Sequence, residues 1–411
     1  MFKNLADPHY VLKFQNLCGL RRGNSSRKLK DLHDSLQGQG AEGLTTNRPD
    51  DGAGSCYKRA GKVGSLEEKD SDFYETTLTK ESFESGPDGE VLYNRYIHSL
   101  YFFGSGLGDE IFYLTVFPLL FWNWDEYVMR RLVFLWVFSM YIGQGLKDVL
   151  RWPRPPSPPV IVVEKKYESE YGMPSTHAIV GCIVPFSLVY FSYGRYEFPW
   201  QAGLAFVIFW CGLVCLSRIY MGVHSFQDIV GGLCVSLMVI SFCLPFITEG
   251  AEGMLKSPYA GIYIVLASLA MILMYPSCDK WTRARGDTTR ILCGGTGAML
   301  AGWITFYFEN LPIPDPYDGA PFKLFSTSLS SAFPLLGSFF TRFLVGVMII
   351  FPVKLVFTFT TKKILGALVP NSDESLNKRL FVELTYIFIT YTAVGFAAVY
   401  LAPKAFIHFN L

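Results

Sequence analysis

The chain joins two long apolar stretches through the segment Ser217-Arg218-Ile219-Tyr220-Met221-Gly222-Val223-His224-Ser225-Phe226-Gln227-Asp228. This segment carries a cation, a histidine and a carboxylate at the ends of runs that are otherwise almost uncharged. Ionisable groups at membrane depth are costly, and they usually mark a functional site. The segment therefore predicts a membrane-embedded helical fold with an anion-binding site at one membrane face.

The chain as a whole divides into a polar part, residues 1–95, and a largely apolar part, residues 96–411, which contains this segment. Hydrophobic residues make up 50% of the chain and charged residues 17%, below the ~25% typical of soluble proteins. About nine runs approach the roughly twenty apolar residues that a transmembrane helix needs. A soluble helical core would not need so many. We therefore predict an all-α multi-spanning membrane protein with a helical-bundle core and spans at 100–122, 132–150, 176–194, 200–218, 226–247, 259–276, 288–308, 335–358 and 383–402.

The composition also bears on partners and cofactors. A net charge of +1 leaves no electrostatic footprint for nucleic acid. The nine cysteines show no CxxC or Cys/His spacing, and most lie in or next to apolar segments. We expect buried free thiols, no disulfide framework and no zinc site.

The sequence predicts three parts: a polar tail over 1–95, a catalytic membrane core over 96–250 and additional transmembrane helices over 251–411. Within the tail, residues 8–20 have apolar side chains at helical spacing. They predict a short amphipathic helix that lies on a membrane or packs against the protein. Residues 21–90 are polar enough to predict disorder. Asn24-Ser25-Ser26 is a glycosylation sequon, which matters only if the tail is luminal.

A second polar segment follows the predicted span 132–150. Lys147 and Arg154 are seven residues apart, with Pro153 and Pro155 on either side of the arginine. A residue before proline is excluded from helical backbone, so Arg154 should lie on an extended segment that folds back over the helix end. Lysine and arginine together suit phosphate oxygens, although a pair of cations flanking a span is the commoner arrangement.

A third segment, Pro174-Ser175-Thr176-His177, opens the next span. The free backbone N–H groups at a helix start form an anion site, to which Ser175 and Thr176 would contribute. His177, at the same helix end, can deliver a proton to a leaving oxygen. An ordinary helix cap with an uninvolved histidine fits the pattern equally well.

In the first segment, His224 and Asp228 are four residues apart, which can place them on one helical face. A carboxylate bonded to one ring nitrogen would raise the basicity of the other and prepare it to attack phosphorus. The second and third segments share one loop, and two predicted spans separate this loop from the first segment, so all three segments should lie at the same membrane face. The sequence has no cluster of carboxylates of the kind that would indicate a magnesium site. We therefore expect turnover without a metal or other cofactor.

Asp109 and Glu110 interrupt the first apolar run. Two interpretations are open. They cap a helix that starts late, which we favour, or they face the bundle interior and hold a basic site residue in place.

The three segments match K-x6-R-P, P-S-x-H and S-R-x5-H-x3-D in order and spacing, and on these motifs the chain resembles the type 2 phosphatidic-acid phosphatase and vanadium haloperoxidase superfamily over residues 100–248. The resemblance implies that phosphate is bound by Lys147, Arg154, Ser175 and Arg218. It also implies that His177 is the general acid, that His224 is the nucleophile forming a phosphohistidine and that Asp228 orients it. Thr176 departs from the family pattern, in which glycine is commonest.

A closer similarity, to the sphingosine-1-phosphate phosphatases, rests on the stretches around these motifs: Arg151-Trp152-Pro153-Arg154-Pro155-Pro156, Glu170-Tyr171-Gly172-Met173-Pro174-Ser175 and Leu216 to Ser225. It implies an endoplasmic-reticulum enzyme that dephosphorylates sphingosine 1-phosphate or dihydrosphingosine 1-phosphate in sphingolipid salvage and signalling. The resemblance places the site in the lumen, and Arg130 and Arg131 agree with a cytosolic first loop, whereas the basic tail favours the cytosol.

Other functions remain open at this point. A broad lipid phosphate or glucose-6-phosphate phosphatase would use the same chemistry. An anionic-lipid transporter would use the cations alone and would not need a nucleophile paired with a carboxylate. A catalytically silent scaffold would not need the complete set of motifs.

Overall fold

The computed structural model describes residues 5–22, 83–84, 90–167, 170–247, 255–276, 283–310, 322–323, 329–368 and 376–411. Contacts between Cα atoms divide the chain into two compact units, one formed by Met1–Cys18 with Tyr96–Leu411 and the other by Gly19–Arg95. The predicted boundary between a core and additional helices near residue 250 stays a prediction.

The fold is almost entirely helical, as the apolar periodicity predicts. Its helices are α1 (Pro8–Leu17), α2 (Arg95–Gly106), α3 (Glu110–Asn123), α4 (Glu126–Leu150), α5 (Thr176–Ser192), α6 (Trp200–Tyr220), α7 (Phe226–Pro245), α8 (Ala260–Met274), α9 (Arg283–Trp303), α10 (Leu329–Leu368), α11 (Leu376–Phe396) and α12 (Ala402–Phe409). The π-helical segments Ile304–Phe308 and Ala397–Leu401 continue α9 and α11. A 3-10 turn lies at Lys165–Tyr167.

Five of the described helices are long and apolar enough to cross a membrane: Trp200–Tyr220, Phe226–Pro245, Ala284–Phe308, Gly337–Leu368 and Leu380–Phe409. Three more are apolar but shorter, namely Glu110–Asn123, Thr176–Ser192 and Ala260–Met274. The chain is thus a multi-pass membrane protein, while the predicted count of about nine spans is not confirmed.

The first predicted span, 100–122, is wrong as a single helix. The chain leaves helical geometry between α2 and α3, around Leu107–Asp109. Gly104, Gly106 and Gly108 weaken the helix there, and the Asp109 side chain is drawn to groups outside it.

The bundle core forms where α4, α5 and α7 meet. Val128 and Leu135 of α4 pack with Ile179 and Ile183 of α5 and with Val239 of α7, and all five are buried. A second buried cluster joins α4 and α5 to α3 through Met129, Leu132, Val180 and Phe117. Helices α4 and α5 are therefore the central pair of this core.

Helix α9 connects this core to the C-terminal helices. It packs against α4 on one side and against α11 on the other. Helix α10 is mostly exposed over Gly337–Leu368, as expected for a helix that faces lipid.

Short strands complete the fold. In the Gly19–Arg95 unit, β1 (Arg21–Arg22) and β2 (Phe83–Glu84) both pair antiparallel with β3 (Glu90–Leu92). The prediction of disorder over 21–90 stays a prediction, because all of that range except these paired residues lies outside the described residues. In the larger unit, β4 (Tyr196–Glu197) pairs parallel with β5 (Phe322–Lys323).

The predicted N-terminal amphipathic helix is α1, and it packs against the protein. Val11 and Gln15 are fully buried, and α1 lies against α6. The Gln15 side-chain amide donates to the backbone carbonyls of Ile161 at 2.7 Å and Tyr220 at 3.0 Å, and it accepts from the Ile161 N–H at 3.1 Å. Because a buried backbone group left unpaired costs about 1–3 kcal/mol, this amide fixes the loop after α4 to the end of α6.

One turn in this region requires glycine. Gly222 has φ +72°, and a Cβ at this position would lie 2.1 Å from the carbonyl oxygen of Ile161. The turn between α6 and α7 can therefore lie directly against the loop after α4 only because residue 222 has no side chain.

The seven cysteines among the described residues are free thiols, of which Cys18, Cys215 and Cys293 are buried. The expected burial is wrong for Cys234, which is exposed.

Candidate active site

The three polar segments predicted from the sequence meet at one end of the bundle, where α4 and α6 end and α5 and α7 begin. Arg154 Nη1 lies 3.4 Å from His224 Nε2, which brings the first loop to the turn after α6. Lys147 Nζ lies 3.5 Å from Thr176 Oγ1, which brings the end of α4 to the start of α5. The predicted convergence is confirmed.

Arg154 lies on an extended segment after the end of α4, as the flanking prolines predict. Its Nε donates to the Glu170 carbonyl oxygen at 2.8 Å and its Nη1 to the Val223 carbonyl oxygen at 2.6 Å. Burial lowers the pKa of the guanidinium to about 10, so it keeps its charge at neutral pH. The two carbonyls thus aim a fixed cation at the centre of the site.

Arg218, in the last turn of α6, is fully buried. Its Nη1 donates to Ser105 Oγ and, at 2.8 Å, to Glu164 Oε2. Among the described residues, its Nε and Nη2 have no hydrogen-bond partner. Buried donors without partners are rare in proteins, so this half of the guanidinium is available to a ligand with oxygen acceptors.

Lys147 is also buried, which excludes a cation extended towards the membrane surface. Its Nζ lies 3.2 Å from Glu170 Oε2. All three predicted phosphate-binding cations therefore point into the site.

His224 lies in the turn before α7, one residue before the N-cap Ser225, and only 1% of its side chain is exposed. Burial and the nearby charges of Arg154 and Arg218 lower the pKa of the imidazole well below its ordinary value of 6.5. The ring is neutral at pH 7, and a neutral ring has the lone pair that a nucleophile needs.

The relation between His224 and Asp228 differs from the expected hydrogen bond. His224 Nδ1 lies 3.6 Å from Asp228 Oδ2, beyond hydrogen-bond distance. That oxygen accepts from the Ser225 N–H at 2.7 Å, because Ser225 and Asp228 form a capping box at the start of α7. Both His224 Nδ1 and Asp228 Oδ1 lack a hydrogen-bond partner within the described part of the chain.

Ser175 caps α5, and its Oγ accepts from the Ala178 N–H at 3.4 Å. The backbone N–H of Ser175 donates to the Asp228 carbonyl oxygen at 3.0 Å. Gly232 permits this approach, since a Cβ there would lie 2.6 Å from the Ser175 carbonyl oxygen. The helix start therefore faces the His224 turn, while a role of Ser175 and Thr176 in binding phosphate stays a prediction.

His177 is buried at the start of α5. Its Nε2 lies 3.4 Å from Tyr167 Oη and 3.7 Å from Asp109 Oδ1. Tyr167 Oη donates to Asp109 Oδ1 at 2.6 Å, and Lys166 Nζ lies 3.0 Å from both oxygens of the same carboxylate. Burial raises the pKa of Asp109, but the nearby His177 ring and the hydrogen bonds from Tyr167 and Lys166 outweigh this and hold the pKa well below its usual range.

The position of Asp109 has features of both interpretations that the sequence left open. It is the N-cap residue of α3, but its side chain makes no capping hydrogen bond. The favoured interpretation, capping, is wrong for the side chain because Lys166 and Tyr167 bind both carboxylate oxygens. The carboxylate holds a basic site residue, as the alternative expected.

Sequence reasoning missed Glu164, Tyr167 and Glu170, which lie in the loop between α4 and α5. The centroid of the Tyr167 ring lies 4.9 Å from the guanidinium carbon of Arg218 and 5.8 Å from that of Arg154. Burial raises the pKa of Glu170, but Lys147 and Arg154 outweigh it and lower the pKa, so the carboxylate is ionised. The only signal for these residues was the density of charge over residues 164–170.

Within the described ranges, no group of three or more His, Cys, Asp or Glu side chains is arranged to hold a metal ion.

Comparison with known proteins identifies the superfamily of this chain. Residues 129–250 match the PAP2 superfamily. No solved structure matches the chain.

Curated relatives match much more of the chain. Mouse sphingosine-1-phosphate phosphatase 2 is 35% identical over 78% of this chain and 90% of its own length. Rat sphingosine-1-phosphate phosphatase 1 is 32% identical over 98% of this chain and 96% of its own. Yeast dihydrosphingosine 1-phosphate phosphatase YSR3 (Saccharomyces cerevisiae) is 30% identical over 31% of this chain and 33% of its own. With buried cations gathered around a neutral histidine at the ends of membrane helices, and with this similarity over most of its length, the chain belongs to the sphingosine-1-phosphate phosphatase family of the PAP2 superfamily.

Proposed function

We propose that the protein is a phosphoric monoester hydrolase that removes phosphate from sphingosine 1-phosphate and dihydrosphingosine 1-phosphate through a phosphohistidine intermediate. The observation that carries this proposal is the convergence of Lys147, Arg154 and Arg218 on neutral His224. A phosphate monoester is nearly a dianion, and these cations would bind its oxygens.

In the first step, the three cations hold the phosphate while the Nε2 lone pair of His224 attacks phosphorus. The bond between phosphorus and the lipid oxygen breaks, and His177 gives a proton to that oxygen, which releases the lipid as an alcohol. The positive charge on the phosphorylated imidazole is stabilised by Asp228, whose carboxylate lies 3.6 Å from Nδ1.

In the second step, a water molecule attacks phosphorus and gives a proton to His177, which is now neutral. The bond between phosphorus and nitrogen breaks, inorganic phosphate leaves and His224 regains its lone pair. Asp109, 3.7 Å from His177 Nε2, would stabilise the imidazole whenever it carries the proton.

The lipid tail would remain among the apolar helices while its head enters the site. Each methylene that stays out of water avoids a cost of about 0.8 kcal/mol. A single-chain lipid phosphate therefore suits a site built at the helix ends better than a sugar phosphate does.

Purified protein in detergent with EDTA should release phosphate from sphingosine 1-phosphate faster than from phosphatidic acid or glucose 6-phosphate. Adding magnesium should not raise the rate, because side-chain cations stabilise the transition-state charge. Released phosphate is measured directly. Loss of activity in EDTA would contradict the metal-free mechanism, and equal rates on all substrates would favour a broad phosphatase.

We also propose that the protein resides in the endoplasmic reticulum membrane with its site facing the lumen. This orientation would place the N-terminal tail in the lumen too, where Asn24 could be glycosylated. The expected result is a band shift on treatment with endoglycosidase in cells, which Asn24→Gln removes. An unglycosylated Asn24 alongside a protease-accessible cytosolic tail would contradict the orientation.

A further inference from the structure

Among the residues that the structure describes, the site holds as many carboxylates as cations. Lys147, Arg154, Lys166 and Arg218 are matched by Asp109, Glu164, Glu170 and Asp228. A dianionic phosphate that enters such a site meets little net positive charge, although the site is built to attract it. One of these carboxylates therefore needs a different partner when substrate binds.

Three of the carboxylates keep partners that the phosphate would not take. Asp228 accepts from the Ser225 N–H. Asp109 accepts from Tyr167 and Lys166. Glu164 binds one nitrogen of Arg218, while the other two nitrogens of that guanidinium have no hydrogen-bond partner in the described parts of the chain and can bind phosphate without displacing it.

Glu170 differs from these three. Among the residues described, its carboxylate pairs with Lys147 Nζ at 3.2 Å and with Arg154 Nη2 at 3.7 Å, and both are proposed to bind phosphate. When phosphate takes these two cations, the Glu170 carboxylate is left beside a dianion. Its side chain is 10% exposed and that of Lys147 is 1% exposed, so Glu170 lies on the more open side of the pair.

We propose that Glu170 is a specificity-determining residue that binds the protonated amino group of a long-chain-base phosphate. This inference rests on the proposed function. In such a substrate, the amino group is on the carbon next to the one that bears the phosphate ester, so phosphate and ammonium enter together. The ammonium replaces the cations that Glu170 loses, and a charge-assisted hydrogen bond forms. A lipid phosphate without the amine leaves two anionic groups facing each other, which disfavours its binding.

The test compares sphingosine 1-phosphate with its N-acetylated derivative, which keeps the phosphate and the chain but has no cationic amine. The ratio of the two kcat/KM values is measured for the wild type and for Glu170→Gln. We expect the wild type to prefer the free amine, and we expect Glu170→Gln to reduce this ratio about 10- to 100-fold, the range of a hydrogen bond to a charged group. Glu164→Gln is the matched control, because it should slow both substrates alike by loosening Arg218.

The other outcomes would refute either the proposed function or the role of Glu170. A wild type that releases phosphate from neither substrate would refute the proposed function. A wild type that uses both equally, or a ratio unchanged in Glu170→Gln, would refute the role of Glu170 and leave the phosphatase function intact. Loss of both activities in Glu170→Gln and also in Glu170→Asp, in protein that elutes like the wild type, would show that the carboxylate positions Lys147 and Arg154 instead.

Discussion

Replacing His224 with alanine is expected to reduce phosphate release on the order of 10⁴-fold or more, the scale on which losing a catalytic nucleophile acts. Arg154, Lys147 and Arg218 pair with carboxylates, and the neutral ring of His224 has the lone pair that attack on phosphorus requires. The measurement is phosphate release from sphingosine 1-phosphate by purified protein. Brief incubation with substrate labelled at phosphorus should also leave label on the wild type and none on the variant.

The matched control is His408→Ala, because His408 is exposed in α12 and has no part in the site. It should keep wild-type activity and labelling. If His224→Ala retains activity, the nucleophile is another group and the phosphohistidine mechanism fails. If the variant is inactive but still binds inorganic phosphate as tightly as the wild type, the loss is one of chemistry and not of folding.

Replacing His177 with glutamine is expected to slow hydrolysis of sphingosine 1-phosphate about 10²- to 10⁴-fold, the usual contribution of a general acid. The alkoxide of a lipid alcohol is a poor leaving group, so its departure depends on the proton from His177. The first step with p-nitrophenyl phosphate should be far less affected, because nitrophenolate leaves without protonation. Comparing the two substrates separates proton donation from binding.

The same variant should show a burst with p-nitrophenyl phosphate. Since His177 also takes the proton from the attacking water, its loss slows the second step, and one equivalent of nitrophenol should appear before a slow steady phase. Rapid-mixing absorbance measures this directly. Equal slowing of both substrates with no burst would assign His177 a structural role at the start of α5.

The sequence correctly predicted those site residues whose positions are determined by the ends of helices. Lys147, His177 and Arg218 lie in the last or first turns of helices, and consecutive spans alternate in direction, so apolar runs and motif spacing were enough to bring the three segments together. The position of Arg154 followed from its flanking prolines, because the backbone restriction before proline is local.

The rest depended on contacts that have no period in the sequence. Glu164, Tyr167 and Glu170 lie in an irregular loop, where neither helical nor strand spacing indicates which side chains face inward. The expected hydrogen bond between His224 and Asp228 was wrong because the α7 capping box takes the carboxylate oxygen. The break around Leu107–Asp109 was missed because its glycines interrupt a run that hydropathy alone shows as continuous.

The hydrogen bonds of Gln15 have a consequence for how the protein is made. Gln15 and its acceptor on Tyr220 are 205 residues apart in the chain. At a synthesis rate of about 5–20 residues per second, roughly 10–40 s pass between them. During that time α1 has left the ribosome with no site to dock on, and its apolar face is free to rest on the membrane surface. We expect α1 to hold the catalytic turn in place only after α6 has been synthesised. Until α1 docks against α6, the nascent chain should therefore be inactive towards the surrounding lipids.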